Sequence, residues 1–269
     1  MTKVSIIIPL FNSARFLESL FGNLQRQTIS ASLQFVFIDD HSSDDSVERA
    51  HALAESSGLN CVFGETAANG GPGAARNAGL AIADGEYIAF LDSDDNLDPG
   101  FCEKLYNAAK ACDADLAYCH ILAVQDSHES IWRNPLVENG EFTRKKKVGY
   151  LKKYKSYFTT FVYRRRFLAE NSIRFPLTRS AEDSCFLAQA LLCAGKVASV
   201  DDALYHYRLH TDSLSKKRDS GRSRQRMASF NALISFAKEK DLYRDYKCVL
   251  EWIYFKKAIL GSIRDLLGI

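Results

Sequence analysis

Over the first hundred residues, apolar positions follow two alternating periods. Val4-Ser5-Ile6-Ile7-Ile8 forms a short, nearly continuous apolar run, whereas Arg15 to Gln27 places Phe16, Leu17, Leu20, Phe21 and Leu24 on one helical stripe. The unit recurs. Gln34 to Ile38 and Cys61 to Phe63 predict strands, followed by helices from about Asp44 to Ser56 and around Ala74 to Ala83; Glu86 to Leu91 predicts a fourth strand. Strands rich in Ile, Val and Phe at alternating positions on both faces are buried on both sides, and with crossover helices they imply a parallel, doubly wound α/β sheet. In such sheets ligands bind beyond the carboxyl ends of the strands.

Further on, Asp98-Pro99 predicts a capped helix with proline at its first position, running to about Cys112. Leu116 to Val124 predicts a fifth strand, Gln125 to Asn139 a polar variable loop, and Phe158 to Tyr163 another strand. Between them, Arg144 to Lys155 is dense in lysine. Residues 222–268 predict helices in which Trp252, Ile253, Phe255, Ile259, Leu260 and Ile263 interleave with Lys256, Lys257 and Arg264. That pattern suits an amphipathic helix at a membrane interface, and equally one packed on the domain or on a second subunit. The expected organisation is one domain over 1–215, in two parts (1–97 and 98–215), followed by a helical extension over 216–269.

Composition narrows the function classes. With 46% hydrophobic residues in 269, the chain can bury a sizeable core, and 35 basic against 33 acidic side chains leave a net charge of +2, which gives no bulk field for nucleic acid. Seven cysteines without CxxC pairs suit reduced thiols, hence a cytoplasmic setting. The opening apolar run is too short, and interrupted by Pro9, for a signal peptide, and no span is long enough to cross a bilayer.

Four segments carry chemistry. Leu91-Asp92-Ser93-Asp94-Asp95 ends a buried strand with three carboxylates, which repel unless a counter-charge sits among them; a divalent metal held by oxygen ligands is one, and a solvated turn is the plain alternative. Asp39-Asp40 ends the second strand, where it suits either a nucleoside contact or turn chemistry. Asn69-Gly70-Gly71-Pro72-Gly73-Ala74-Ala75-Arg76-Asn77 is a glycine-rich turn opening a helix, fit to approach phosphate, yet it matches neither the P-loop nor the dinucleotide fingerprint. Arg76, one turn in, serves a ligand or pairs with a nearby acid. Ser180-Ala181-Glu182-Asp183 reads as a capping box; because adjacent helical residues diverge by about 100°, at most one of Glu182 and Asp183 projects into a cleft as a base.

The order and spacing of VSIIIPLFN, FIDDHSSDDS, NGGPGAARN, YIAFLDSDD, AEDSCF and YHYRLHTDSLS resemble the inverting family 2 glycosyltransferases of GT-A fold, from Val4 to about Ser215. The resemblance implies a central, mostly parallel sheet flanked by helices, and a catalytic domain over 1–215 with nucleotide-sugar binding in 1–97 and the acceptor side and catalytic base in 98–215. It implies a nucleotide-sugar pocket from Pro9, Phe11, Asn12, Asp40, Gly71, Arg76, Asn77, Asp92 and Ser93, with Asp40 touching the base. Asp92 and Asp94 would hold Mn²⁺ or Mg²⁺, and Asp183 would be the catalytic base. Arg208, with Tyr207 and Ser213, falls in a stretch that closes over the donor phosphates, and His210 would add a metal contact. The chain departs from the pattern at His41, where the family more often has glycine. The implied reaction is transfer from a UDP-sugar to a saccharide or lipid-linked saccharide in capsule or lipopolysaccharide synthesis, at the cytoplasmic face of the inner membrane. A nucleotidyltransferase and a noncatalytic nucleotide-sugar or glycan-binding module are the competing classes; the former would place a basic residue early in the glycine-rich loop.

Overall fold

The computed structural model describes residues 1–125, 128–209 and 220–267. The predicted βα alternation is realised as β1 (Val4–Leu10), α1 (Leu17–Gln25), β2 (Leu33–Asp39), α2 (Ser46–Ser57), β3 (Cys61–Glu65), α3 (Pro72–Ile82) and β4 (Tyr87–Phe90). These four strands lie in the order β3-β2-β1-β4, all parallel, with Ile6 opposite Phe35 on one side and Ala89 on the other. Pro9 is tolerated in central β1 because its missing N–H would point toward β4, whose pairing has already ended at Ile7 opposite Phe90.

A two-residue strand β5 (Asn96–Leu97) leads to α4 (Phe101–Ala111), β6 (Leu116–Gln125), β7 (His128–Trp132), β8 (Gly140–Glu141), α5 (Arg144–Lys153), β9 (Phe161–Arg164), α6 (Arg165–Glu170), α7 (Glu182–Cys193) and β10 (Lys196–Arg208). β9 enters antiparallel between β4 and β6, and β10 runs parallel to β6, so the sheet continues as β4-β9-β6-β10-β5. The architecture is therefore the mixed α/β sheet flanked by helices that the resemblance implied, parallel in its first half and mixed beyond β4.

Three local expectations are corrected. The polar stretch after Gln125 contains β7, paired antiparallel with β6 from Ile121–Trp132 to Gln125–His128; its side chains are largely exposed, which hid the strand from hydrophobic periodicity. Asp98 does not cap α4: its Oδ1 accepts from Gly100 N–H at 2.8 Å in a preceding turn, and Gly100 takes the cap position. The capping box at Ser180 is absent. Ala181, at φ 63°, is the residue before α7, and no side chain caps the helix.

After residue 220, α8 (Ser220–Glu239), α9 (Tyr243–Ile253), a π-helical turn (Tyr254–Ile259) and α10 (Leu260–Leu267) follow. Phe230, Leu233, Val249, Leu250, Ile253 and Ala258 are buried in the same apolar cluster as Phe186 and Leu191 of α7 and Phe90 of β4. The extension thus shares the core of the sheet domain. Trp252, Phe255, Ile259, Leu260 and Ile263 stay exposed on its outer face. The lysine-rich stretch is α5, partly pinned inward: Arg144 donates to the Asp245 carbonyl at 2.6 Å and Lys147 to that of Leu192 at 2.7 Å. Among the described residues, no helix is long and apolar enough to cross a membrane. All seven cysteines are free thiols.

Candidate active site

The glycine-rich turn holds an anion, and the anion belongs to the chain. Gly71 occupies the position before α3 at φ 83°, in the region that favours glycine, with Pro72 opening the helix. Its N–H donates to Asp40 Oδ2 at 2.7 Å, while Gly70 N–H (2.9 Å) and the Thr66 hydroxyl (2.8 Å) donate to Oδ1. Asp40 is 4% exposed. Asp40 and Gly71, both expected at the nucleotide, are thus bonded to each other, the carboxylate lying at the donor-rich helix terminus.

His41 follows at φ 62°, in the left-handed region where glycine is easiest, and its Nε2 lies 2.8 Å from the Thr66 carbonyl. The departure from the family pattern is therefore a non-glycine residue held in a glycine-like conformation. Asn12, at φ 50°, bridges from the end of β1: its N–H donates to Ser42 Oγ at 3.0 Å and its Oδ1 accepts from Ser43 N–H at 2.8 Å. Phe11 beside it is 45% exposed.

Arg76 is the hub of the site. Its side chain is 6% exposed, with Nη2 2.7 Å from Asp92 Oδ1 and Nη1 3.7 Å from Glu182 Oε1. The guanidinium lies over the rings of Phe158 at 4.6 Å and Phe175 at 5.4 Å. Burial works against its charge, but Asp92, Glu182 and then Asp183 hold its pKa up. In the structure Arg76 is packed between aromatic rings and ties the end of β4 to the start of α7. The Asn77 side chain brackets Phe175, donating to the carbonyl at 2.8 Å and accepting from the N–H at 3.0 Å. Gly73 permits this closeness, because a Cβ there would lie 3.1 Å from Glu182 Cγ and 3.2 Å from the Pro176 carbonyl.

The acidic turn after β4 has divided roles. Asp95 is buried at 2% exposure; its Oδ2 accepts from the Tyr205 hydroxyl at 2.6 Å and its Oδ1 from Arg208 N–H at 2.9 Å. Burial, followed by the charges of Asp92 and Asp94, pushes its pKa well up. Asp95 therefore locks the turn to β10, a role that sequence reasoning left unassigned. Arg208 is brought to the turn by its backbone. Ser93 Oγ is 2.8 Å from Ser13 Oγ, joining this turn to the end of β1.

Asp92 is engaged by Arg76 through one oxygen and is 36% exposed, and Asp94 is half-buried. Two hard carboxylates of this kind fit Mg²⁺ or Mn²⁺ completed by phosphate oxygens of a donor. Among the described residues, no three His, Cys, Asp or Glu side chains could hold a metal ion on their own. Arg76 already supplies part of the counter-charge that the sequence pattern demanded. His210 and Ser213 lie outside the described residues.

Asp183 follows Glu182 on the first turn of α7, partly exposed, with Oδ1 accepting from Ser184 N–H at 2.6 Å. Burial raises its pKa; Ser184 N–H, Lys257 and Arg76 pull it the other way. Glu182 is pushed up to about 7 by burial and by the Asp183 charge, against the pull of Arg76. Glu182 went unassigned in the sequence, although its 100° offset from Asp183 is the signal that the two face different partners. Asp92, Arg76, Glu182 and Asp183 thus converge at the carboxyl edge of the parallel strands.

The glycosyl transferase family 2 model matches residues 5–171, more than half of the chain, including the ends of β1, β2 and β4 and the glycine-rich turn with Arg76. The chain belongs to glycosyl transferase family 2. Among family relatives, the poly(ribitol-phosphate) beta-glucosyltransferase of Bacillus spizizenii is 30% identical over 216 residues, 78% of this chain and 33% of that one. The cholesterol galactosyltransferase of Borreliella burgdorferi is 31% identical over 220 residues, 76% of this chain and 59% of its own length. The chain thus spans about a third of the first of these curated relatives and under two thirds of the second. S. aureus TarS 1-349 in complex with UDP-GlcNAc superposes with TM-score 0.72 at 23% identity, covering 87% of this chain and 67% of the TarS 1-349 chain. Mannosyltransferase PcManGT from Pyrobaculum calidifontis, in complex with GDP-Man and Mn²⁺, gives TM-score 0.61 at 17% identity over 99% and 74% of the two chains. These solved structures share the GT-A fold with this family 2 chain.

Proposed function

We propose that this family 2 chain is an inverting glycosyltransferase that moves a sugar from a nucleoside diphosphate donor, a UDP-sugar, to a hydroxyl of a saccharide or lipid-linked saccharide acceptor during surface polysaccharide synthesis. The convergence of Asp92, Arg76, Glu182 and Asp183 on one edge of the parallel sheet carries the reading. Asp92 and Asp94 are the residues to hold Mn²⁺ or Mg²⁺, which when bound neutralises charge gathering on the departing diphosphate. Phe11 offers an open ring to the nucleobase. Asp183 takes the proton of the acceptor hydroxyl on the carboxylate oxygen that Ser184 leaves free, as that hydroxyl attacks the anomeric carbon from the face opposite the diphosphate. Glu182 and Arg76 fix the start of α7, and hence the base, against the acidic turn.

UDP and UDP-GlcNAc complexes of TarS support a uridine donor. Relatives named for transfer to poly(ribitol-phosphate) and to cholesterol support a polymeric or lipidic acceptor. The nucleotidyltransferase reading is disfavoured because the N–H groups of its would-be phosphate loop are occupied by Asp40. The exposed stripe Trp252, Phe255, Ile259, Ile263 supports peripheral membrane association at the cytoplasmic face, which liposome flotation of the full chain tests. For the reaction itself, a panel of UDP-sugars is incubated with the chain and Mn²⁺, and free UDP is measured. Release from at least one donor is expected; none from any donor, with or without saccharide acceptors, contradicts the proposal.

A further inference from the structure

Lys257 lies 74 residues beyond Asp183 in sequence, in the π turn between α9 and α10, and points inward to the start of α7. Its Nζ donates to Ser156 Oγ at 3.1 Å and sits 4.0 Å from the centre of the Tyr154 ring. Ser156 Oγ is hydrogen-bonded to Ser184 Oγ, and the Tyr154 hydroxyl donates to the Ser184 carbonyl at 3.4 Å. Ser184 N–H in turn donates to Asp183 Oδ1. A continuous path therefore runs from the ammonium of the C-terminal extension, through two serines, to the proposed base.

π turns inside α-helices are frequent at functional sites, and the widened turn rotates the succeeding residues relative to the α-helical register. Here Lys257 is directed to the core side, while Phe255 and Lys256 face outward.

We propose that Lys257 is a positioning residue for the base: through Ser156 and Ser184 it fixes the orientation of Asp183 and brings an ammonium to the start of α7, so that the C-terminal extension completes the active site. This inference rests on reading Asp183 as the base. The charge balance around the pair is mixed. Lys257 and Arg76 of α3 favour the Asp183 carboxylate, whereas Asp92 and the neighbouring Glu182 oppose it. Asp183 and Cys185 support the Lys257 ammonium against burial, Lys256 and Arg226 of α8, which together leave it at about 8. Near neutral pH the lysine is still mostly protonated, and its charge acts on Asp183 across the poorly solvated start of α7, where screening is weak.

The test is the titration of Asp183 in the full chain carrying carboxyl-¹³C aspartate, the resonance being assigned by its loss in Asp183→Asn. Lys257→Met is expected to raise the Asp183 midpoint by about one pH unit, as removal of a close opposite charge does. Lys257→Arg should restore the midpoint. Ser156→Ala, which removes the anchor and keeps the charge, should shift it by less in the same direction and serves if Lys257→Met does not fold. An unchanged midpoint in Lys257→Met, or in Ser156→Ala where the methionine variant does not fold, overturns the proposal. So does an arginine variant that titrates like the methionine one. The readout needs no donor, so it separates from the enzymatic reading: a shifted midpoint with full UDP release by Asp183→Asn keeps the coupling and removes the base.

Discussion

The helices α3 and α7 begin within reach of one another, and acidic side chains gather at both starts. At α3 the acid is Asp40, reached from the end of β2, and each of its oxygens accepts from backbone N–H or hydroxyl donors. At α7 the acids are Glu182 and Asp183 on the helix itself, with no side-chain cap, shifted upward by burial. The first arrangement is a finished structural bond. The second keeps carboxylates poorly solvated, which raises their basicity against the opposing pull of a single guanidinium, a condition typical of reacting groups. An acid at a strand or helix end is therefore chemical or structural according to how completely the chain satisfies it.

Substitutions at the two helix starts should separate accordingly. Arg76→Met should have the largest effect on stability, because it leaves Asp92 and Glu182 without their shared cation; a loss of about 3–5 kcal/mol in urea unfolding is expected for breaking such a buried pair. A loss below about 1 kcal/mol would show that Arg76 is not the hub. Asp40→Asn comes next. The amide retains one acceptor but sets an N–H₂ against Gly70 or Gly71 N–H, leaving a buried donor unpaired at about 1–3 kcal/mol. UDP-dependent thermal stabilisation should survive in the folded fraction if Asp40 is structural, and vanish if it touches the nucleobase.

The smallest effect is a pH slope. Because Glu182 rises from an ordinary 4.5 to about 7 on folding, the folded state holds its proton more tightly than the unfolded chain does. Stability from this group is complete below about 4.5 and declines as pH rises through about 7. Glu182→Gln should flatten the fall in melting temperature across that window without abolishing it, since Asp183 is shifted in the same direction. An unaltered slope would mean that Glu182 titrates normally.

The sheet was legible because its strands are buried on both faces and its helices are amphipathic; β7 was not, because His128 to Ile131 are exposed and carry no hydrophobic period. The acidic turn after β4 and the acids of α7 stood out in the sequence by residue type. Their partners did not. The spacing of Arg76 in its helix is the same whether it meets a phosphate or Asp92, and only the close approach of α3 to α7 at Gly73 selects the acid. The bonds that hold Asp40 were hidden because the glycines that donate to it lie 30 and 31 residues away. Lys257 was indistinguishable from its neighbour Lys256, since the π turn that points one inward and the other outward leaves no pattern in the residues themselves.

One comparison tests the central claim most directly: the parent chain and Asp183→Asn, each measured for Mn²⁺-dependent thermal stabilisation by UDP and for UDP release from the donor that the parent chain turns over. The account predicts equal stabilisation by UDP and a release rate lower by about 10²–10⁴, the contribution of a general base. Release by Asp183→Asn at the parent rate would contradict it.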